Sequence, residues 1–232
     1  MSLDAKIMRK DKKVNALSIV TWDKLRKAHE IYLKEEPRDA VYRVSTKLIN
    51  ENWNRNKDIS NALGVLLLIW NSAFYRYGSL DYELIENSIS KTKVYLDTFR
   101  RRDIISFVQP DKERIESIYG IFLNSLRSIG KLASKNAGKI SYSPVSVGKA
   151  LHLLCPNFFP LWDNKIAKSY DCMWKSSKSS FDNYWKFMMI SKEQIRLLYS
   201  DNDIPPELKR LNPLKLIDEY NYARFTLGLT IN

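Results

Sequence analysis

Three side chains capable of nucleophilic or proton-transfer chemistry lie close together in residues 143–170, SPVSVGKALHLLCPNFFPLWDNKIAKSY: Lys149, His152 and Asp163. A lysine amine attacks carbon once it has lost its proton, and a desolvated or electropositive setting favours that loss. A carboxylate stabilises positive charge developing on a nearby carbon and accepts protons. An imidazole is a general base near neutral pH, which makes His152 an assisting candidate. Ser143-Pro144 reads as a helix start, a capping hydroxyl followed by an N1 proline. That helix must end at or before Pro156. On a helix over Pro144–Cys155, Val147, Ala150, Leu151 and Leu154 fall on one face, and Lys149 and His152 share the opposite side. The rigid turn Pro156-Asn157-Phe158-Phe159-Pro160 then leads to Asp163, at or near the N-cap of a following helix, where free N–H groups favour a carboxylate. Folding back at the turn would bring Asp163 near Lys149 or His152. A plainer reading of the same residues stays open: Asp163 as an ordinary cap, Lys149 as a solvated side chain, His152 as a hydrogen-bonded structural histidine, and Phe158, Phe159 and Trp162 as core.

The elements that must position these groups read as helices. Glycine is scarce, with seven in 232 residues, which argues against many tight hairpins. Thr21 caps a helix to about Glu35, stopped by Pro37, and a second helix runs from about Arg38 to Trp53. Asp58 opens a third, whose apolar positions Ile59, Leu63, Leu66, Leu67, Trp70 and Phe74 mark it as the buried central helix. Ser79 or Asp81 opens a fourth, ending at Arg100-Arg101-Arg102, and Pro110-Asp111 opens a fifth. Residues 134–143 and Lys175–Ser180 read as loops, and helices follow at about 181–200 and 213–226. Ile104–Val108 is a possible short strand, residues 1–14 read as frayed, and Asp218 reads as a surface helix residue. The expected fold class is all-α, a compact multi-helix domain over residues 1–232, with two lobes at 15–110 and 111–232 as the finer division.

Composition narrows the partner. There are 38 Lys+Arg against 26 Asp+Glu, a formal net charge of +12, which points to a polyanion, with nucleic acid, DNA before RNA, as the expected partner. Lys165, Lys168, Lys175 and Lys178 lie beside the 143–163 stretch and are candidate phosphate contacts, as are Arg100, Arg101 and Arg102. Trp70, Asn71, Tyr75 and Arg76 form a candidate pocket in which an aromatic ring would stack on a base; the alternative is core aromatics with a terminal arginine. Cys155 and Cys172 form no CxxC pair, so no metal site is expected, and no nucleotide or cofactor motif is present. MSLDAKIMRKDKK has no apolar stretch resembling a signal peptide. The longest apolar run, Ala62–Trp70, is too short to cross a bilayer. A cytoplasmic protein without membrane partners is expected.

Residues 143–170 resemble the core of the helix-hairpin-helix DNA glycosylase superfamily. Ser146-Val147-Gly148-Lys149-Ala150 is similar to that superfamily's hairpin and helix start, and Asp163-Asn164-Lys165-Ile166-Ala167-Lys168 to its second motif, D-T-H-V-x-R. The resemblance implies a DNA-repair glycosylase, with or without lyase activity. Asp163 would be the catalytic carboxylate and Lys149 a Schiff-base lysine. Gly148, with Val147 beside it, would offer a backbone N–H to a DNA phosphate. Serine replaces the first hairpin glycine, lysines replace the His and Arg of the second motif, and the fourteen-residue Lys149–Asp163 interval is several residues shorter than the family's. A hairpin at 144–148 also competes with the Ser143-Pro144 helix start. A non-enzymatic nucleic-acid or protein interaction module is the expectation from another class.

Overall fold

Thr21 opens the first helix, its Oγ1 accepting the Lys24 N–H. A computed structural model of the chain describes residues 20–132, 135, 137–200 and 204–231; the reading of residues 1–14 falls outside them. Helix α1 is Trp22–Glu35, α2 Asp39–Glu51, α3 Asn56–Trp70 and the short α4 Ser72–Tyr75. Then come α5 (Tyr82–Arg100), capped by Asp81, and α6 (Lys112–Ser125). The second half holds α7 (Pro144–Leu154), α8 (Asn164–Ser169), α9 (Phe181–Ser200) and α10 (Pro213–Asn221), which continues as a π-helical turn over Tyr222–Thr226. Helix makes up 67% of the chain and strand 3%, so the protein is all-α.

Of the strand content, β3 lies in the expected 134–143 loop, whereas β2 takes Ile129 out of the fifth helix, whose apolar face was expected to reach it and which ends at Ser125. β1 (Gly78–Ser79), β2 (Ser128–Gly130) and β3 (Ile140–Ser141) form a small antiparallel sheet in the order β1-β2-β3. Ile104–Val108 is no strand: Ile104–Ser106 is a 3₁₀ turn, because the Asp103 carboxylate takes the Ser106 N–H and curls the chain before it can extend.

The buried central helix is α7, not α3. Every residue from Pro144 to Leu154 is buried, and α7 packs against α2, α3 and α6. In α3, Val65, Leu68 and Ile69 are exposed. Its long apolar run gives hydrophobicity on all sides, but neighbours cover only the Ile59–Leu63–Leu66–Leu67 side. The α3 start also lies at Asn56, ahead of Asp58. Helix α10 packs on α1, so the last helix closes against the first. The core includes Trp22, Phe99, Phe158, Phe159, Trp162 and Tyr220, all nearly inaccessible.

Candidate functional site

Helix α7 is fastened at its N-terminus. Ser143 caps it, Oγ accepting the Ser146 N–H at 3.1 Å, and Pro144 occupies the first turn. Residues 144–148 are therefore helix, and the competing hairpin is absent. Asn71 donates through Nδ2 to Ser146 Oγ (2.7 Å) and Ser143 Oγ (3.1 Å). The Tyr75 hydroxyl donates to the Leu126 carbonyl at 2.8 Å and lies 2.9 Å from Ser146 Oγ. The Asn71 amide nitrogen and the Tyr75 hydroxyl thus anchor α7 and are occupied rather than lining an open pocket. Arg76 is exposed.

Gly148 serves packing. A Cβ there would lie 2.5 Å from Trp162 Cδ1, and the indole seated against it donates to the Pro144 carbonyl at 3.1 Å. Val147 and Gly148 are buried inside α7, out of reach of a phosphate. The phosphate-cradle role for this pair is corrected on that ground.

His152 is sealed rather than sharing a surface with Lys149. Its Nδ1 lies 2.8 Å from the Phe159 carbonyl and its Nε2 2.9 Å from the Tyr42 hydroxyl. The consistent assignment is Nδ1–H donating to Phe159 and Nε2 accepting from Tyr42. Burial drives its pKa down to about 3, against a smaller opposing effect of the Phe159 hydrogen bond. A neutral, doubly bonded imidazole with no access is a structural histidine.

Lys149, three residues earlier, is also buried, with 9% of its surface exposed. Its Nζ donates to the Trp70 carbonyl at 2.7 Å and lies 5.8 Å from the Trp70 ring centroid. Trp70 is half-buried, stacks on Tyr42 at 5.6 Å, and donates through Nε1 to the Arg38 carbonyl. Burial pulls the Lys149 pKa down to about 8; the negative charges of Asp163 and then Asp218 keep it from falling further. Roughly a tenth of such an amine is neutral at pH 7.

Asp163 is the N-cap of α8, Oδ1 accepting the Ile166 N–H at 2.8 Å. The capping reading holds. The turn after α7 buries Phe158 and Phe159 and returns Asp163 to act on Lys149 as the strongest of the surrounding charges.

The site has a second half, on α10. Lys215 Nζ is 3.3 Å from Asp218 Oδ2 and 3.2 Å from Glu219 Oε1, with side-chain exposures of 8%, 15% and 4%. Asp218 is not a surface residue. Burial raises its carboxyl to about 6, with Lys215 opposing. Burial also disfavours the Lys215 charge, but Asp218 and Glu219 outweigh it and raise its pKa. The Lys215 ammonium lies 3.9 Å from the Tyr32 ring and 5.7 Å from the Trp70 ring, so two lysines flank one indole. His29 Nδ1 meets Glu219 Oε2 at 2.6 Å, and that hydrogen bond raises its pKa. A cleft of about 350 Å³ opens between His29, Tyr42, Arg43, Arg210, Lys215 and Glu219; Lys149, Asp163 and Asp218 are not in its walls. In the sequence, Lys215-x-x-Asp218-Glu219 has the spacing of an exposed ion pair. The available contrary signal is the apolar set Leu214, Leu216, Ile217 and Tyr220, which surrounds the helix and leaves it no wet face.

Lys165, Lys168, Lys175 and Lys178 are exposed on α8 and the loop beyond it, with Lys165 Nζ 3.3 Å from the Thr226 carbonyl. The three arginines turn inward to different degrees. Arg100 bonds the Leu154 carbonyl and Asn50, Arg101 the Asp97 carbonyl, and Arg102 bonds Asp111 through both nitrogens. Cys155 and Cys172 are free, buried thiols, both pushed up by burial. Among the described residues no group of three His, Cys, Asp or Glu could hold a metal ion, and no helix is long and apolar enough to cross a membrane.

No protein-family model matches the chain, and comparison with curated proteins and with solved structures finds no significant match.

Proposed function

We propose that this chain is a DNA-binding protein that acts as an N-glycosylase or abasic-site lyase on damaged DNA, with Lys149 as nucleophile and Asp163 as the charge-stabilising carboxylate. One observation carries the reading: a buried lysine, its Nζ held by the Trp70 carbonyl at 2.7 Å and its pKa lowered by burial, feels the charge of a carboxylate fixed at a helix N-cap. A partly neutral amine attacks C1′ of a deoxyribose, and a fixed carboxylate lowers the energy of the cationic sugar. The resemblance of residues 143–170 to helix-hairpin-helix glycosylases assigns the same two roles. The exposed Lys165, Lys168, Lys175 and Lys178, on the helix that Asp163 caps and the loop after it, suit backbone contacts.

A second reading, a nucleic-acid or protein interaction module without catalysis, has its own support. Residues 144–148 are the first turn of a buried helix, so they do not offer the hairpin through which the superfamily holds phosphate.

Borohydride trapping on duplexes carrying damaged bases or an abasic site separates the two. A covalent adduct with wild-type protein, lost in Lys149→Ala and reduced in Asp163→Asn, is expected for the enzyme. DNA binding at low salt without adduct, strand cleavage or abasic-site formation would establish the binding module instead. Replacing Lys165, Lys168, Lys175 and Lys178 by Ala is expected to flatten the slope of log affinity against log salt, by about one for each phosphate no longer neutralised.

A further inference from the structure

The cleft of about 350 Å³ between α1, α2 and α10 has no part of Lys149 or Asp163 in its walls. Its ionisable groups come from three places: His29 on α1, Asp39 and Arg43 on α2, and Arg210, Lys215 and Glu219 on α10 and the segment before it. Both carboxylates are already taken. Glu219, nearly inaccessible, holds Lys215 Nζ at 3.2 Å through Oε1 and His29 Nδ1 at 2.6 Å through Oε2. Asp39 Oδ2 lies 3.5 Å from Arg43. The Glu219 bond fixes the His29 ring and favours its protonated form, leaving Nε2–H as the uncommitted donor of an imidazole in the cleft wall. The two arginines are also largely unspent. The Arg43 side chain is 68% exposed and meets Asp39 only at that longer distance. Arg210 is exposed and has no hydrogen bond or ion pair among the described residues. Leu33 and Leu211, 51% and 37% exposed, stand in the same walls.

We infer that this cleft binds a small organic phosphate monoester, with Arg43, Arg210 and His29 Nε2–H taking the phosphate oxygens and Leu33 and Leu211 covering the organic part. The inference is independent of the reading of Lys149 as a nucleophile. A cationic ligand finds no free partner, because Asp39 and Glu219 are committed to cations of the protein. An anion finds several. A guanidinium keeps its charge and presents a rigid fork of N–H donors that meets two oxygens at once. One fork fills the two oxygens of a carboxylate, whereas two forks and an imidazole N–H suit the three terminal oxygens of a phosphate monoester. Such a group carries a charge of about −1.5 to −2 near neutral pH, which repays more than one cation. The volume lies at the low end of the roughly 300–1,000 Å³ of small-molecule sites, so the occupant is one compact molecule. Leucines left in water beside these cations gain when an organic body covers them. Glu219 is a positioning residue: it orients the His29 ring from behind and is itself pinned by Lys215.

The test is titration calorimetry on the full-length protein with three probes: phenyl phosphate, inorganic phosphate and benzoate. One phenyl phosphate is expected to bind per chain, roughly tenfold more tightly than either of the others, since only it offers both the phosphate and an apolar body. Arg43→Ala and Arg210→Ala should each weaken phenyl phosphate roughly tenfold, the scale of losing hydrogen bonds to a charged group. Both side chains are exposed, so neither variant endangers the fold. Arg55→Ala, which removes an arginine outside the cleft of similar exposure and with a similarly long carboxylate contact, should leave the affinity unchanged. Leu33→Ala should narrow the preference for phenyl phosphate over inorganic phosphate. No saturable binding up to about 10 mM phenyl phosphate overturns the inference. An equal loss in Arg55→Ala also overturns it, because bulk charge then explains the binding. Benzoate or inorganic phosphate binding as tightly as phenyl phosphate overturns the assignment of an organic phosphate. None of the probes contains DNA or an aldehyde, so failure here leaves the Lys149 reading standing, and failure of imine trapping leaves this one standing.

Discussion

Two charged clusters, one partly open through Arg102 and one enclosed around Lys149 and Asp218, behave in opposite ways. In the first, Arg102 grips Asp111 with two parallel bonds, Nη1–Oδ1 at 2.9 Å and Nη2–Oδ2 at 2.7 Å, while the second carboxylate oxygen also accepts the Val108 N–H. The Arg102 bonds hold Asp111 below the usual carboxylate range, and Asp111 raises Arg102 in turn. Both groups are more comfortably charged than in water. In the second cluster, Lys149 is pulled down to about 8 and Asp218 pushed up to about 6, each mainly by burial. Both are less comfortably charged than in water. The Arg102–Asp111 pair is planar, bidentate and complete, so it offsets its own desolvation. Lys149 has one carbonyl and two carboxylates acting from other helices. Strongly shifted buried groups of this kind are where functional sites are sought, which is why the proposed function centres on Lys149.

Substitutions should break the two clusters in opposite directions. The largest effect is expected from Arg102→Ala, which strands Asp111 and costs about 2–3 kcal/mol in urea unfolding, somewhat below the loss for a fully buried pair because Arg102 is partly exposed. Lys149→Met should stabilise the protein by about 1–3 kcal/mol at pH 7 in the same measurement, since it removes a desolvated charge, while abolishing imine trapping. A loss of stability in Lys149→Met would erase the contrast between the clusters.

The smallest effect, the pH dependence of stability, has a defined sign. Asp218 has a folded pKa of about 6, above its unfolded value, so its contribution is most favourable below about pH 4 and fades as pH rises through about 6. His29, raised by Glu219, adds stability that is present below its unfolded pKa and is lost as pH climbs through its folded one. Lys149 has the reverse slope, gaining stability only above about pH 8. Thermal melts should therefore show higher stability at about pH 5.5 than at about pH 7.5. Asp218→Asn should reduce the difference by about 0.8 kcal/mol, and an unchanged slope would place the pH response elsewhere.

Local signals in the sequence were reliable at four helix starts and failed at two places, Asp58, which lies inside α3, and Ile104–Ser106, which Asp103 curls. Thr21, Asp81, Ser143 and Asp163 each cap the helix expected of them, because a cap bond joins residues two or three apart. The hairpin at 144–148 gave way for the same reason, a serine cap and an N1 proline already determining a helix. Burial was harder to read. The run in α3 is more conspicuous in sequence than α7, yet α7 is the helix surrounded on all sides, and which apolar helix lies innermost depends on where the others pack. Asp218 was misplaced because an i,i+3 Lys–Asp pair looks the same whether its helix faces water or, as here, α1 and the Trp70 ring.

By itself the sequence determined an all-α chain with an excess of positive charge and helices starting at named caps, and it placed Lys149 and Asp163 on consecutive helices joined by a stiff aromatic turn. Only the tertiary structure decided that His152 is silenced by Tyr42 and Phe159, that Gly148 is needed by Trp162 rather than by a phosphate, and that Lys149 and Lys215, more than sixty positions apart, both reach the Trp70 ring. The physical reason is that capping and turn energies act over a few residues, whereas desolvation depends on everything packed around a group. It is desolvation that moves an ordinary lysine and an ordinary aspartate away from their usual pKa values.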